Sequence, residues 1–313
     1  MNYPSNKITF FTAAGGRSAI LESALAKSCF FFALCVFSSF VSMAQPSLKV
    51  MTFNIRYNNP ADSIYNWDHR KQMVYDVIHS YNPDLAGLQE VLSGQLTDLA
   101  DSLKGYSWFG AGRDDGKRAG EFAPVFYKTS RFSKVDGSVF WLSKTPDIPG
   151  SKSWNTACTR IVTWLMLRDK QNGQLFFIFN THFDHQSEEA RVESARLVRK
   201  KIDEITSGRP VILCGDFNST SSGQAYQLLT WKSAPGSFKD TRTAISDTIP
   251  EPSYSFVGFP FNPEKGNLID FIFTRDTPGW KVSSYHLITD NKNGYYPSDH
   301  LPVTAEFIIS KIK

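Results

Sequence analysis

The sequence predicts an α/β (α+β) protein in which two packed β-sheets are covered by helices. Three observations carry this. Nine apolar runs have strand length, only two helical stripes interrupt them, and from Leu48 onward the signals follow one another without a low-complexity tract, internal repeat or long linker. Many strands with few intervening helices suit two stacked sheets better than a purely parallel, doubly wound one. The strand-like runs lie at 48–57, 84–91, 123–128, 138–142, 160–168, 174–183, 210–217, 268–274 and 301–309, and are rich in β-branched and aromatic residues. The first helix is read over 70–81, where Met73, Val74, Val77, Ile78 and Tyr81 recur three and four apart and Asn82-Pro83 supplies the stop. The second lies at 188–205, with Val192, Ala195, Val198, Ile202 and Ile205 as its apolar stripe. Between the runs at 160–168 and 174–183, Asn172-Gly173 predicts a hairpin with positive φ at both central positions.

The chain of 313 residues is 41% apolar and 20% charged, enough for a large core in a single domain at 45–313. Residues 1–44 read as a signal peptide: CFFFALCVFSSFV at 29–41 is too short to span a bilayer, Lys27 precedes it, and Ser42-Met43-Ala44 makes a small-x-small cleavage site before Gln45. The expectation is export, to the periplasm or beyond the cell if the source is bacterial, with no stable membrane insertion after cleavage and a monomeric mature protein. An uncleaved anchor is the competing reading. Lipidation at Cys35 fits less well, because Leu34 rather than a small residue precedes it. Lys7, Arg17 and Lys27 leave with the leader against Glu22, so the formal charge falls from +4 to +2, far from the basic footprint of a dedicated nucleic-acid binder. Cys158 and Cys214 remain, read as free buried thiols with pairing left open.

Polar residues break the strands at their ends. In VILCGDFNS, Asp216 and Asn218 point one way while Phe217 points back, and the same spacing recurs in FNTHFD (Asn180, His182, Asp184) and in MTFNIR (Thr52, Asn54, Arg56). Turn closure explains any one of these. Glu90, after a nearly continuous apolar run, and Asp270, inside LIDFIF, are harder to dismiss, because an unpaired buried carboxylate is costly. Asp299-His300 arrives just before the last run. The set is dominated by hard oxygen donors, with no cysteine cluster and no HExxH helix, which suits Mg²⁺ or Mn²⁺. A metal beside histidines and a free carboxylate is equipment for phosphoryl transfer.

The series FNIR, LQEV, NTHFDH, GDFN, IDFIF and SDHLPV resembles the endonuclease/exonuclease/phosphatase superfamily over residues 48–309. The resemblance implies a four-layer α/β/β/α sandwich with two mixed sheets face to face. It places Asn54, Glu90 and Asp299 at the metal, Glu90 foremost. Asp216 would activate water, Asn218 hold the phosphate, His182 stabilise the pentavalent phosphorus, and His300 contact the scissile phosphate with Asp270 fixing its tautomer. The loop GRDDGKRAGE at 112–121 resembles a substrate-side loop, bringing Arg113, Asp114 and Glu121 to the cleft, and Arg160 is a candidate phosphate ligand. The basic residues Arg191, Arg196, Arg199, Lys200 and Lys201 read as the wet face of their helix. The leaving-group acid and the number of metals stay open.

The functional expectation is a secreted Mg²⁺-dependent phosphoesterase, nuclease-like, cleaving a P–O bond by in-line attack of water. Its partner is a phosphate ester, with nucleic acid as substrate only. Alternatives are a sphingomyelinase-like enzyme, for which 256–263 offers an aromatic membrane hairpin, a sugar or inositol phosphatase, and a non-catalytic binding module on the same fold. No G-x-S-x-G elbow and no P-loop occur, which removes serine hydrolases and P-loop nucleotide hydrolases.

Overall fold

In the computed structural model, which describes residues 47–231, 236–245, 253–275 and 277–310, the apolar runs become strands in two six-stranded sheets. The leader predicted at 1–44 lies outside the described residues. In chain order the strands are β1 (Ser47–Asn54), β2 (Leu85–Gln89), β3 (Tyr106–Phe109), β4 (Val125–Lys128), β5 (Phe132–Trp141), β6 (Ile161–Asp169), β7 (Leu175–His182), β8 (Val211–Asp216), β9 (Phe238–Asp240), β10 (Asp270–Arg275), β11 (Trp280–Leu287) and β12 (Val303–Ile309). The α-helices are α1 (Trp67–Tyr81), α2 (Ser93–Ser102), α3 (Glu188–Thr206) and α4 (Gln224–Thr230).

One sheet runs β11-β12-β1-β2-β4-β3 and the other β5-β6-β7-β8-β10-β9. Among the described residues only β1 with β2, and β7 with β8, pair in parallel, each pair connected through a helix, α1 or α3. Both sheets are therefore mixed, and their centres share one pattern: antiparallel, parallel, antiparallel. The two parallel pairs end side by side in register, Asn54 opposite Gln89 and His182 opposite Asp216, while Asp270 opens β10 opposite Asp216.

Alternation along these strands builds the layers. Val50, Leu85, Ile178, Ile212, Cys214 and Ile272 face the space between the sheets. Their neighbours Met51, Phe53 and Leu88 pack with Val74, Ile78 and Leu99 of α1 and α2. Phe177, Leu213 and Phe273 pack with Val198, Ile202 and Leu229 of α3 and α4. Three cores between four layers give the α/β/β/α sandwich.

The space between the sheets also holds Asn180, which the FNTHFD spacing groups with the site. It is fully buried, accepting from Gln89 Nε2 at 2.6 Å and donating to Leu88 O at 2.8 Å and Pro124 O at 2.9 Å, so it ties sheet to sheet. Gly87 allows that approach: a Cβ there would lie 2.6 Å from Cys214 Sγ. Cys214 and Cys158 are both free thiols, the first fully buried and its pKa raised by burial to about 12, the second only half-buried.

Several elements depart from the expectation for identifiable reasons. The helix at 70–81 starts three residues earlier, at Trp67, and Asn82 caps it in the left-handed region. The Lys170–Gly173 turn has positive φ only at Gly173, because Gly173 N–H bonds Asp169 O across a longer loop than a two-residue hairpin. Strand β11 escapes a period-two reading because its register shifts between Val282 and Ser284, so its buried residues, Val282 and Tyr285, fall three apart. Strands β3 and β9 are four and three residues long, and α4 has seven, too short for periodicity. Helix α2 carries Leu96 and Leu99 at helical spacing in a window with few other apolar residues. The segment 256–263 is a packed loop rather than a membrane hairpin: Phe259 stacks on Tyr65 at 4.6 Å and Phe261 on Tyr296 at 4.0 Å. Among the described residues no helix is long and apolar enough to cross a membrane.

Candidate active site

The strand ends meet at one rim of the sandwich, around a hollow of about 560 Å³ whose lining includes Glu90, Arg113, Glu121, Arg160, His182 and Asp216. Asp216 is its centre. It follows Gly215, where a φ of +151° and the close approach of Thr181 O, which any Cβ would strike, admit glycine alone. Around the Asp216 carboxylate, Asn54 Nδ2 donates to Oδ2 at 3.0 Å and Asn218 N–H to Oδ1 at 2.9 Å, while His182 Nε2 and His300 Nε2 stand 3.4 and 3.7 Å from Oδ2. Burial raises the pKa of Asp216, helped by the charge of Asp270 and opposed by His300.

His300 and Asp270 form a hydrogen-bonded pair, Nδ1 to Oδ2 at 2.9 Å, and Ser255 Oγ donates to the same oxygen at 2.6 Å. Burial lowers the pKa of His300, but the carboxylates of Asp270 and Asp216 outweigh it and raise it, so the ring is an imidazolium with Nε2–H toward the hollow. His182 is the opposite case: burial and the nearby Arg160 hold it neutral. Asn218 Nδ2 donates to Phe183 O, which identifies that atom as nitrogen, so His182 Nε2 accepts from it at 3.0 Å and Nδ1 carries the proton.

Glu90 follows β2, where alternation alone would send it toward the helices with Leu88. Its left-handed backbone, φ 60°, swings the carboxylate into the hollow, where it accepts from Asn54 Nδ2 and Tyr57 N–H, both at 3.1 Å. Arg56 and Asn218 are also left-handed non-glycine residues just past strand ends. Such backbone costs on the order of 1–3 kcal/mol per residue and persists where surroundings over-determine it.

A divalent cation fits this side of the hollow. Glu90 and Asp299 present oxygens, and in this structure a positive group already stands between them: Arg56 Nη1 lies 4.0 Å from Glu90 and 3.8 Å from Asp299. Burial raises the pKa of Asp299 and the charge of Glu90 adds to it, against the opposing charges of His300, Arg56 and Arg70. Asn54 turns its amide nitrogen to the acids because Oδ1 accepts from Arg56 N–H at 3.0 Å, so ligation through Asn54 requires the amide to rotate. Asp216, Asp270 and His300 are also close enough to share an ion, but the protonated His300 already spends Nδ1 on Asp270. A third group, Cys158, Asp184 and His185, is unsuited: Asp184 accepts from Thr156 and Ala157, His185 Nδ1 accepts from Arg160, and the Arg160 guanidinium lies 3.9 Å from Asp184.

All eleven sequence-predicted site residues reach the same rim: the central group and, on one wall, Arg113, Glu121 and Arg160. Asp114 turns away, its carboxylate bonded to Thr159. Arg160 is 5% exposed, its ion pair with Asp184 is buried and its Nε and Nη1 make no hydrogen bond among the described residues, so a surface salt bridge is not its role. Of the basic helix residues Arg196 and Lys200 form the wet face, pairing with Glu193 and Glu204, whereas Arg191, Arg199 and Lys201 are partly buried, Arg191 donating to Asp184 O and Arg199 to Leu228 O.

Sequence reasoning missed His185 and Arg70, and it placed Arg56 on the polar face of MTFNIR without giving it a role. Arg56 bridges Asp62, Glu90 and Asp299. Arg70 is 1% exposed and donates to the carbonyls of Ile55, Arg56, Tyr57, Tyr65 and Pro297, joining the segment after β1 to the one carrying Asp299 and His300. Its signal was present: Trp67, Arg70, Val74 and Val77 share the apolar stripe of α1, and an arginine there has to be buried and satisfied.

Comparison with known proteins agrees with this geometry. The sequence model of the endonuclease/exonuclease/phosphatase family matches residues 51–300. The solved structure of an endonuclease/exonuclease/phosphatase from Bacteroides vulgatus is 39% identical, with a TM-score of 0.78, covering 85% of this chain and 100% of that one. A mannosyl-6-phosphatase from Bacteroides thetaiotaomicron is 35% identical, with a TM-score of 0.76, covering 84% of this chain and 100% of its own. The CCR4-Not complex 3'-5'-exoribonuclease subunit Ccr4 of Mycosarcoma maydis is 23% identical over 85% of this chain, which spans about half, 51%, of that longer relative.

Proposed function

Since the chain belongs to the endonuclease/exonuclease/phosphatase family, whose members hydrolyse phosphoester bonds, we propose that it is an exported, Mg²⁺-dependent phosphatase acting on the monoester of a small hydroxylated alcohol. The observation that carries the monoester reading is Arg160, a buried guanidinium in the wall of the hollow, close enough to act on His182, with Asp184 3.9 Å from Nε and with Nε and Nη1 making no hydrogen bond among the described residues. A diester phosphate carries one charge and a monoester close to two, so a second buried cation beside the imidazolium of His300 favours the dianion. The likeness to a mannosyl-6-phosphatase, at 35% identity over the whole of that chain, points the same way, against 23% for the exoribonuclease.

Within this reading Asp216, desolvated but ringed by donors, takes the proton of the attacking water as the water's oxygen bonds to phosphorus and the opposite bond to the ester oxygen breaks, the departing alkoxide taking a proton from solvent to leave as the alcohol. His300 donates Nε2–H to a non-bridging oxygen, its charge kept by Asp270. Asn218 and neutral His182 orient the remaining oxygens, and Arg160 offsets the charge that the leaving oxygen would otherwise concentrate. A divalent ion held by Glu90 and Asp299, with Asn54, supplies Lewis-acid neutralisation when bound.

The test compares p-nitrophenyl phosphate with bis-(p-nitrophenyl) phosphate in Mg²⁺ and after EDTA. A charge-assisted contact is worth about 1.5–3 kcal/mol, so kcat/KM should favour the monoester by roughly tenfold to a hundredfold. Chelation should remove the activity and Mg²⁺ restore it. The inverse ratio rejects the monoester reading, and no metal-dependent hydrolysis of either ester leaves a binding module. Export is checked separately: N-terminal sequencing of protein recovered outside the cytoplasm should begin at Gln45, and a first residue within the leader would refute cleavage there.

A further inference from the structure

The loop at 112–121 is far more ordered than its polar sequence, GRDDGKRAGE, requires of a surface connection. Arg113 N–H bonds Glu121 O at 3.0 Å and Asp114 N–H bonds Ala119 O at 3.1 Å, making a narrow hairpin. Asp115 Oδ1 closes its tip on the N–H groups of Lys117 and Ala119, and Trp141 Nε1 pins Arg113 O at 2.6 Å. Two glycines make this packing feasible: a Cβ on Gly112 would collide with Ala119 O, and one on Gly120 with the Asp114 carboxylate. The product of this rigidity is one pair of side chains. Arg113 Nη1 donates to Glu121 Oε2 at 2.6 Å, both side chains about five-sixths buried, on the wall of the catalytic hollow.

The pair is incompletely used. Among the described residues Arg113 Nε is buried without a hydrogen bond, only the Asp114 carboxylate standing 4.0 Å away, and no hydrogen bond reaches Glu121 Oε1. A fixed donor beside a fixed acceptor matches a hydroxyl group, which both accepts and donates, and matches adjacent hydroxyls best. The pair is neutral overall, so it adds no attraction for a second phosphate. It offers no flat apolar face for a nucleobase. Glu121 also lies near enough to Glu90 and Arg160 for both to act on its charge, which puts the pair beside the groups that receive the phosphate rather than at a distant rim. We infer that Arg113 and Glu121 are the specificity-determining residues of this enzyme, reading ring or chain hydroxyls of a sugar-like leaving group. The inference rests on the phosphomonoesterase reading and narrows it.

The experiment pairs substrates that share a primary phosphate and differ only in the other oxygens: a panel of glucose, mannose and galactose 6-phosphates with ribose 5-phosphate, against n-hexyl phosphate. The wild-type protein should show a kcat/KM for the best sugar phosphate at least about tenfold above n-hexyl phosphate, the scale of one charge-assisted hydrogen bond. In Glu121→Gln, and separately in Arg113→Met, that ratio should fall by about tenfold or more, whatever the absolute rates do. A ratio that stays within twofold of wild type in both variants overturns the inference, as does a wild-type enzyme with no preference for the hydroxylated esters. Wild-type protein that hydrolyses no monoester in Mg²⁺ instead rejects the reading beneath it, so the two failures are separable. Glu121→Gln preserves shape and a hydrogen-bonding group, which keeps the test usable if Arg113→Met does not fold.

Discussion

Asp216→Asn should lower kcat by between about 10² and 10⁴-fold, the range of a positioned general base, and should do so without loss of stability. Among the described residues the side chain is the one carboxylate that Asn54, Asn218, His182 and His300 all approach, and it lines the hollow, where it can meet a water held against a bound phosphate. The amide is isosteric, and its oxygen can still accept from the Asn218 N–H, at the loss of the bond that Asn54 Nδ2 donates to Oδ2, a loss set against the relief of buried charge. Folding should not suffer, because burial and the neighbouring Asp270 raise the pKa of Asp216, meaning that the fold disfavours its charge. Removing that charge from the metal-free protein should leave the melting temperature unchanged or higher, the usual relation between a functional group and the stability it costs. The measurement is kcat on p-nitrophenyl phosphate with Mg²⁺ beside a thermal melt without it. A variant keeping more than about a tenth of wild-type kcat removes Asp216 from the role of base. A markedly lower melting temperature would show that the carboxylate supports the fold instead.

What could be read in advance followed the period of the elements. The strands were legible because alternate burial on both faces leaves long apolar runs, and α3 was legible because its stripe is continuous over 19 residues. Asp270 was legible as a violation, a carboxylate inside LIDFIF, and its partners His300 and Ser255 are what that violation demanded. Three things were hidden. A register shift put the buried residues of β11 out of phase. Left-handed backbone at Arg56, Glu90 and Asn218 re-aims side chains in a way no alternation rule encodes, since none of the three is glycine. Asn180 obeys the same spacing as His182 but lies one pleat deeper, where the second sheet covers it. Sequence spacing assigns a face, and distance from the strand end decides between a tie and a site.

Arg70→Met tests whether the rim is held from behind. The guanidinium donates to five backbone carbonyls in three segments: 55–57 after β1, Tyr65 before α1, and Pro297 just ahead of Asp299 and His300. Burial pulls its pKa down to about 10, against the attraction of Asp299, Asp62 and Glu90, so the charge survives at neutral pH and the acids at the rim share it. Methionine fills similar volume but leaves those carbonyls to water or to nothing. An unpaired buried polar group costs about 1–3 kcal/mol, and the loops will relax to recover part of this, so unfolding free energy should fall by about 3–5 kcal/mol. The larger effect should be on catalysis in the fraction that stays folded. A displacement of about 1 Å in groups that position a reacting phosphate is worth on the order of a hundredfold in rate. Arg56 carries two of the contacts to the metal-side acids and owes its left-handed backbone partly to Arg70, so kcat should fall with a weaker apparent affinity for Mg²⁺. Arg70→Lys, with three donors from one point, should recover stability more than turnover, because a single ammonium cannot span segments that the planar fork joins. Urea unfolding together with Mg²⁺ titrations of activity separates the two effects. If Arg70→Met loses stability while its folded fraction keeps wild-type kcat and Mg²⁺ affinity, the arginine is only a fold element and the rim holds itself.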